Sequence, residues 1–323
     1  MDNSKKIELM IPITKTDIPA LKHNIMYILK YLPVKKIVLV GADDIKGMLS
    51  KDLPVSYINE NEIYNNMTFK NISTLMKELC GTERRTGWYF QQFIKMAYAT
   101  ICEDEYYLIW DGDTVPITNI VFFNNENGKP YLGYRKHEKC DSPFYPVMDI
   151  LLPDHLLHKT VQESYIAEHM LINCEIMKNL IADIESNELI EGTLFFEKIL
   201  NAVDRKVLNL SGFSEFETYA TYVQKTRPGF YEERFWTNLR NGKTFFGNDP
   251  CDEDYSWAAQ NFIALSLEDF DHQYIISKLL CNSFFRKHCK FKTIYNIITP
   301  FYKIRYGIRL CVRNIVYSGR RKR

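Results

Sequence analysis

The sequence predicts an α/β fold, a mainly parallel sheet flanked by helices with a helical C-terminal appendage. Three observations predict it. Short apolar runs alternate with helical patterns through residues 6–134, the arrangement of strand–helix units. One of those runs, "KKIVLVGA" at 35–42, is short, apolar and bounded by glycine, as a strand covered on both faces is. Finally, thirteen Lys and Arg and no acidic residue follow Asp271, so residues 1–271 carry a formal −12 beneath a net charge of +1.

Taken in order, "KIELMIPI" (6–13) is a first strand and "IPALKHNIMYILKYL" (18–32) an amphipathic helix. The strand 35–42 follows, then "VSYINENEI" (55–63), a third strand running into a loop. A polar helix is expected over 69–80, and "GWYFQQFIKMAYATI" (87–101) is a helix with apolar residues at 90, 93, 94 and 97. Strands are expected at 106–110 and 129–134, and helices at 162–181, 193–203 and 214–225. Residues 226–262, with Pro228, Gly229, Gly242, Gly247 and Pro250, read as loop-rich. No repeat or low-complexity linker divides the chain, so a body over 1–272 and a basic tail over 273–323 are expected.

Composition narrows the classes. Hydrophobic residues at 46% and charged residues at 25% suit a globular core and exclude a disordered chain. The 21 Tyr and 20 Phe suit that core and equally suit sugar or nucleobase contacts. Eight cysteines show no C-x-x-C pair, and "MDNSKKIELM" has no apolar leader segment, so reduced thiols in a cytoplasmic protein are expected. No apolar run approaches the roughly 18 residues a membrane-spanning helix needs.

"YYLIWDGDTVPI" (106–117) changes character halfway: an apolar strand ends in Asp111 and Asp113 around Gly112. Two carboxylates one residue apart repel unless a cation joins them, and strand carboxyl ends are where ligands bind in such sheets. Oxygen ligands suit Mg²⁺ or Mn²⁺, which complete their shell with substrate phosphates and neutralise a leaving diphosphate. Glycine is expected to let the backbone turn and a phosphate approach. The competing reading is a plain turn, for which Asp and Gly are common.

Together, "GWYFQQFIKM" (87–96), "YLIWDGDTVPI" (107–117), "EHMLI" (168–172) and "SGFSEFETYATYV" (211–223) resemble a family of bacterial GT-A-type glycosyltransferases associated with surface polysaccharides. The resemblance spans roughly 85–225 and implies a GT-A-like fold. It further implies transfer of a sugar from a nucleotide-sugar donor, a UDP-sugar above others, to a glycan or lipid-linked acceptor, with Mn²⁺ or Mg²⁺ held by Asp111 and Asp113.

Other residues are candidates around that centre. Gln91, Gln92 and Lys95 lie within one helical turn or so, and a lysine there can meet a diphosphate as a point charge. Arg85, just before that helix, is a further phosphate candidate, with a solvated basic patch as its alternative. His169 is a candidate third metal ligand or sugar contact, against the alternative of a satisfied core histidine. Ser214 and Glu217 read as a capping box, which leaves Glu215 as the candidate base for the acceptor hydroxyl. Thr14 and Asp17, after the first strand, are placed where the base and ribose would sit, although Asp17 also suits a helix cap.

The tail sets Phe301, Ile304, Ile308, Val312 and Ile315 at helical spacing among Lys and Arg. A basic amphipathic helix of that kind fits the anionic inner face of the plasma membrane, and no nucleic-acid motif accompanies it. Two rival functions remain: a nucleotidyltransferase, although "IPITKTD" lacks a Gly-rich phosphate loop, and a non-catalytic nucleotide- or glycan-binding protein of the same fold.

Overall fold

The fold is described from a computed structural model, which covers residues 5–136, 142–268 and 271–302. Contacts divide the chain into two compact units. One comprises residues up to Thr114 and Asn119–Trp236; the other comprises Val115–Thr118 and residues from Thr237 on. Residues 237–272, expected in the main body, thus group with the C-terminal segment.

The first unit is a mixed α/β structure on a five-stranded sheet. It opens with β1 (Ile7–Pro12), α1 (Ile18–Tyr31), β2 (Val34–Gly41) and β3 (Val55–Asn59). Two helices follow, α2 (Phe69–Cys80) and α3 (Thr86–Ala97), before β4 (Tyr106–Trp110). The strand order is β3-β2-β1-β4-β8, where β8 is His169–Asn173. β1 pairs in parallel with β2 and β4, and β2 with β3, whereas β8 runs antiparallel to β4. The chain builds outward from β1 to β3 and then returns to β1's other side with β4. The strand order thus reverses between β1 and β4, and ligands in such sheets bind at the carboxyl ends of the strands beside a reversal.

Local chemistry explains these boundaries. Thr68 caps α2 by accepting the Asn71 N–H, and Gly81 ends it at φ 74°, a left-handed conformation that glycine adopts at little cost. β1 and β4 are buried along their whole length, which suits strands covered on both faces.

One expectation is corrected. Residues 162–173 are not helical: β7 (Glu163–Ser164) and β8 precede α5 (Cys174–Ser186). The run "HMLI" is buried on both faces, and periodicity does not distinguish such a run from a buried helix. Glu168 at φ 57° interrupts any helix, and Tyr106–Trp110 then takes 169–173 as its antiparallel partner.

A three-stranded sheet in the order β7-β6-β9 completes the unit's strands, with β6 at Tyr131–Lys136 and β9 at Glu232–Phe235. Helices α4 (Tyr145–Leu151), α6 (Phe195–Ala202), α7 (Arg205–Leu208) and α8 (Glu215–Thr226) surround the core. That core joins Met10, Val38, Tyr107, Ile109, Phe93, Phe195, Phe213 and Tyr219 in one cluster.

A second three-stranded sheet has the order β10-β11-β5, from Asn238–Leu239, Ala264–Ser266 and Thr114–Pro116, and all of it but Thr114 belongs to the second unit. Its helices are α9 (Gly242–Phe246), α10 (Asp252–Ala258), α11 (Ile275–Leu280) and α12 (Ser283–His288), followed by helical residues 291–302. Phe291 packs its ring against Phe245, Phe246, Trp257 and Phe262, an aromatic core of its own. Among the described residues no helix is long and apolar enough to cross a membrane, and the six described cysteines are free thiols. The expected tail helix falls, beyond Phe301 and Tyr302, outside the described residues.

Candidate active site

The site begins where β4 stops. The Asp111 N–H donates to the Glu168 carbonyl at 3.0 Å, and Thr114 N–H closes the turn on the Asp111 carbonyl at 3.0 Å. Buried Asn24 of α1 donates to the Gly112 carbonyl at 2.8 Å, and the Trp110 indole N–H donates to the Thr114 carbonyl at 2.8 Å. The turn is therefore held by α1, by the residue preceding β8 and by its own strand. Gly112 does not have positive φ, and a Cβ there would point at Ile11 and Ile13, 3.4 and 3.8 Å away. The backbone therefore does not need glycine in order to bend at this turn.

Lys95 reaches the turn from α3. Its Nζ lies 3.0 Å from Asp111 Oδ1 and 3.1 Å from Glu215 Oε1, with the Phe216 ring 4.7 Å away. The Lys95 and Glu215 side chains are nearly closed to solvent, whereas that of Asp111 is 31% exposed. Burial alone would lower the lysine's pKa, but the charges of Asp111 and Glu215 outweigh it and hold the ammonium charged. Gln92, one helical turn earlier, accepts the Glu215 N–H on Oε1 at 3.1 Å, fixing the start of α8 against α3. Gln92, Lys95, Asp111 and Glu215 are thus brought together, with Gln92 bonded to α8 and not to the aspartate turn.

Beside this cluster, at the ends of β1 and β2, is a cavity of about 350 Å³ bounded by Thr14, Asp17, Glu60, Phe69, Trp88 and Gln91 among others. Gln91 faces it while Gln92 faces α8, as adjacent helical residues must diverge. Within it, Asp17 Oδ2 accepts from Thr14 Oγ1 at 2.5 Å and from Thr14 N–H at 3.3 Å, a local capping box that also leaves both residues at the cavity wall. Burial, reinforced by Asp44, raises the Glu60 carboxyl pKa. Arg85 donates from Nε to the Leu210 carbonyl at 2.5 Å and lies 4.9 Å from the Trp88 ring.

His169 is a core residue in this structure. Its Nδ1 bonds to the Ala167 carbonyl at 2.7 Å, its ring centroid is 3.9 Å from that of Trp236, and its Nε2 lies against Gly133. Burial pushes its pKa down to about 3. Among the described residues no group of three His, Cys, Asp or Glu side chains forms a metal-binding cluster. The capping box is half made: Ser214 Oγ accepts the Glu217 N–H at 3.3 Å, but the Glu217 carboxylate turns to Ser164, Tyr165 and Lys159.

Glu168 was missed from sequence. Its non-glycine φ of 57° is unusual, its carbonyl holds Asp111, and its carboxylate takes Arg135 Nη1 at 3.0 Å and the Trp236 indole at 3.2 Å. No local signal marks it, because Arg135 and Trp236 lie 33 and 68 residues away along the chain.

No protein family and no curated protein matches the chain. Solved structures do align with it. The apo bifunctional glycosyltransferase WbbM aligns at 13% identity and a TM-score of 0.41, covering 84% of this chain and 47% of its own. Mouse xyloside xylosyltransferase 1 aligns at 10% identity and 0.41, covering 82% and 98%. GlyE of Streptococcus pneumoniae, a glycosyltransferase, aligns at 11% and 0.36, covering 93% and 63%. The chain thus spans about half the length of WbbM.

Proposed function

We propose that the chain is a GT-A-type glycosyltransferase that takes a sugar from a nucleotide-sugar donor, a UDP-sugar above others, to a glycan or lipid-linked acceptor. The observation that carries this is the placement of the Asp111–Asp113 turn at the reversal of strand order, beside the cavity at the ends of β1 and β2. A diphosphate at the turn and a nucleoside in that cavity would use both features, with Trp88 and Phe69 offering faces for a base.

Two carboxylates on one half-exposed turn suit a hard dication that fills its shell with phosphate oxygens and water, so the donor set fits Mn²⁺ or Mg²⁺. Asp111 and Asp113 would hold it, and His169 is left out of the proposed set. When bound, the ion would offset charge developing on the leaving diphosphate. Lys95 shares Asp111 and orients its carboxylate. Glu215 enters as the group that holds Lys95 in place; as base for the acceptor, it would first have to part from that lysine.

In this reading the protein is cytoplasmic and peripheral on the inner face of the plasma membrane, reached through its basic C-terminal region. A nucleotidyltransferase is less favoured because no Gly-rich loop follows β1. A thermal-shift screen of nucleotide sugars with and without Mn²⁺, joined to an assay for slow release of free sugar, tests the proposal. A Mn²⁺-dependent shift with turnover supports transfer; binding without turnover overturns it in favour of a non-catalytic binder; the absence of both shift and turnover sinks it.

A further inference from the structure

Large hydrophobic side chains are exposed unevenly over the described residues. Five of twelve, Ile275, Leu279, Phe284, Ile297 and Phe301, fall within residues 275–301. Ile275 and Leu279, 80% and 63% exposed, are four apart on α11 and share a face. Ile297 and Phe301 repeat that spacing on the helical stretch 291–302, while Phe291, Ile294 and Ile298 face inward. Among the described residues this helix buries one apolar stripe and exposes another, a pattern that suits an interaction surface.

The charge pattern says which partner. Exposed Lys278, Lys287, Lys290 and Lys292 stand among these residues, and no acidic residue follows Asp271. Lys290 and Lys292 also border, with Gln260 and Asn261, a crevice of about 350 Å³. Ammonium and amide groups around a crevice suit an anionic head group, and exposed aliphatic and aromatic tips in the same segment suit the acyl boundary of a bilayer. A protein partner would need matching acids facing apolar pockets; a bilayer containing anionic lipid supplies both properties without a specific fold.

We infer that α11, α12 and residues 291–302 form a docking surface for an anionic lipid bilayer, with Ile275, Leu279 and Phe284 entering the interface and the lysines resting on head groups. This builds on the membrane half of the proposed function and assigns docking to residues upstream of 303–323. It would bring a lipid-linked acceptor to the protein without any spanning segment.

The test is flotation of the full chain with vesicles of phosphatidylcholine, with and without phosphatidylserine. Binding is expected only with phosphatidylserine and should fall with added salt. The double variant Ile275→Glu/Leu279→Glu changes two exposed positions and should weaken binding by about tenfold or more, since it replaces inserting groups by repelled ones. Lys287→Glu/Lys290→Glu should do the same while both variants keep the wild-type melting temperature. Undiminished binding by the Ile275/Leu279 variant overturns the inference, as does absence of wild-type binding to either vesicle. Sedimentation showing a dimer that the same variant dissociates, with no lipid binding, would assign the face to a second copy instead. Because no donor is present, failure of the sugar-transfer reading leaves this experiment interpretable.

Discussion

Two glutamates two residues apart on α8 each meet a buried lysine, and the two pairs differ in what surrounds them. Glu217 is fully closed off and receives Lys159, Ser164 Oγ at 2.8 Å and Tyr165 N–H at 3.0 Å. Every partner in that group comes from one loop and strand, and no carboxylate is left over. Glu215 receives Lys95, but the same ammonium also takes Asp111, whose carboxylate reaches solvent. A closed pair whose carboxylate accepts on both oxygens from buried donors ties elements together. A pair that extends to a part-exposed carboxylate at a strand end leaves that carboxylate within reach of solvent, as the proposed site requires. Burial of charge alone does not separate the two pairs; what separates them is the part-exposed Asp111 carboxylate joined to one of them.

Breaking the closed pair should have the largest effect on stability. Glu217→Ala leaves Lys159 buried without its carboxylate and should cost about 3–5 kcal/mol in denaturant unfolding. Turnover per folded molecule should stay within about twofold, and a folded variant with collapsed turnover would erase the contrast between the pairs. Breaking the open pair acts on chemistry. Lys95→Met should lower turnover about 10²-fold through loss of an oriented charge at the site, read in single-turnover assays against the melting temperature. Equal turnover in wild type and Lys95→Met would reduce that pair to packing.

A smaller effect separates His169 from the site. The unfolded chain protonates this histidine near its ordinary value of roughly 6.5, whereas the folded chain holds it neutral until about 3. Unfolding therefore takes up a proton in that window, so stability should fall as pH drops below 6.5, by at most about 1.4 kcal/mol per unit. His169→Phe should flatten that slope in pH-dependent melts; an unchanged slope would place the proton uptake elsewhere. The smallest effect belongs to Gly112→Ala, whose Cβ meets only ordinary contacts. Its cost should be below about 1 kcal/mol, with turnover nearly unchanged. Loss of activity there would restore the close phosphate approach as the reason for glycine.

Much of the fold was legible because its signals are local. β1, β2 and β4 are short apolar runs bounded by turns, and α3 and α8 carry their periodicity openly. The Asp111–Asp113 turn was visible for the same reason, as charge placed at the end of an apolar run. Lys95 and Gln92 were legible as polar residues on an apolar helix. β8 was misread because a strand buried on both faces has no period to display. Glu168 and Asn24 were invisible because their roles depend on backbone atoms of distant residues, Asp111 and Gly112. His169 resembled a ligand in sequence, and only the ring contact with Trp236 and the bond to Ala167 place it in the core.

The central claim is that Asp111 and Asp113 join a nucleotide sugar to a dication. Its most direct test is calorimetric titration of a UDP-sugar into wild type and Asp113→Ala, each with Mn²⁺ and with chelator. Mn²⁺-dependent binding is expected in the wild type, weakened at least about tenfold by the variant without loss of melting temperature. Donor binding that is indifferent to Mn²⁺ and to Asp113 would contradict it.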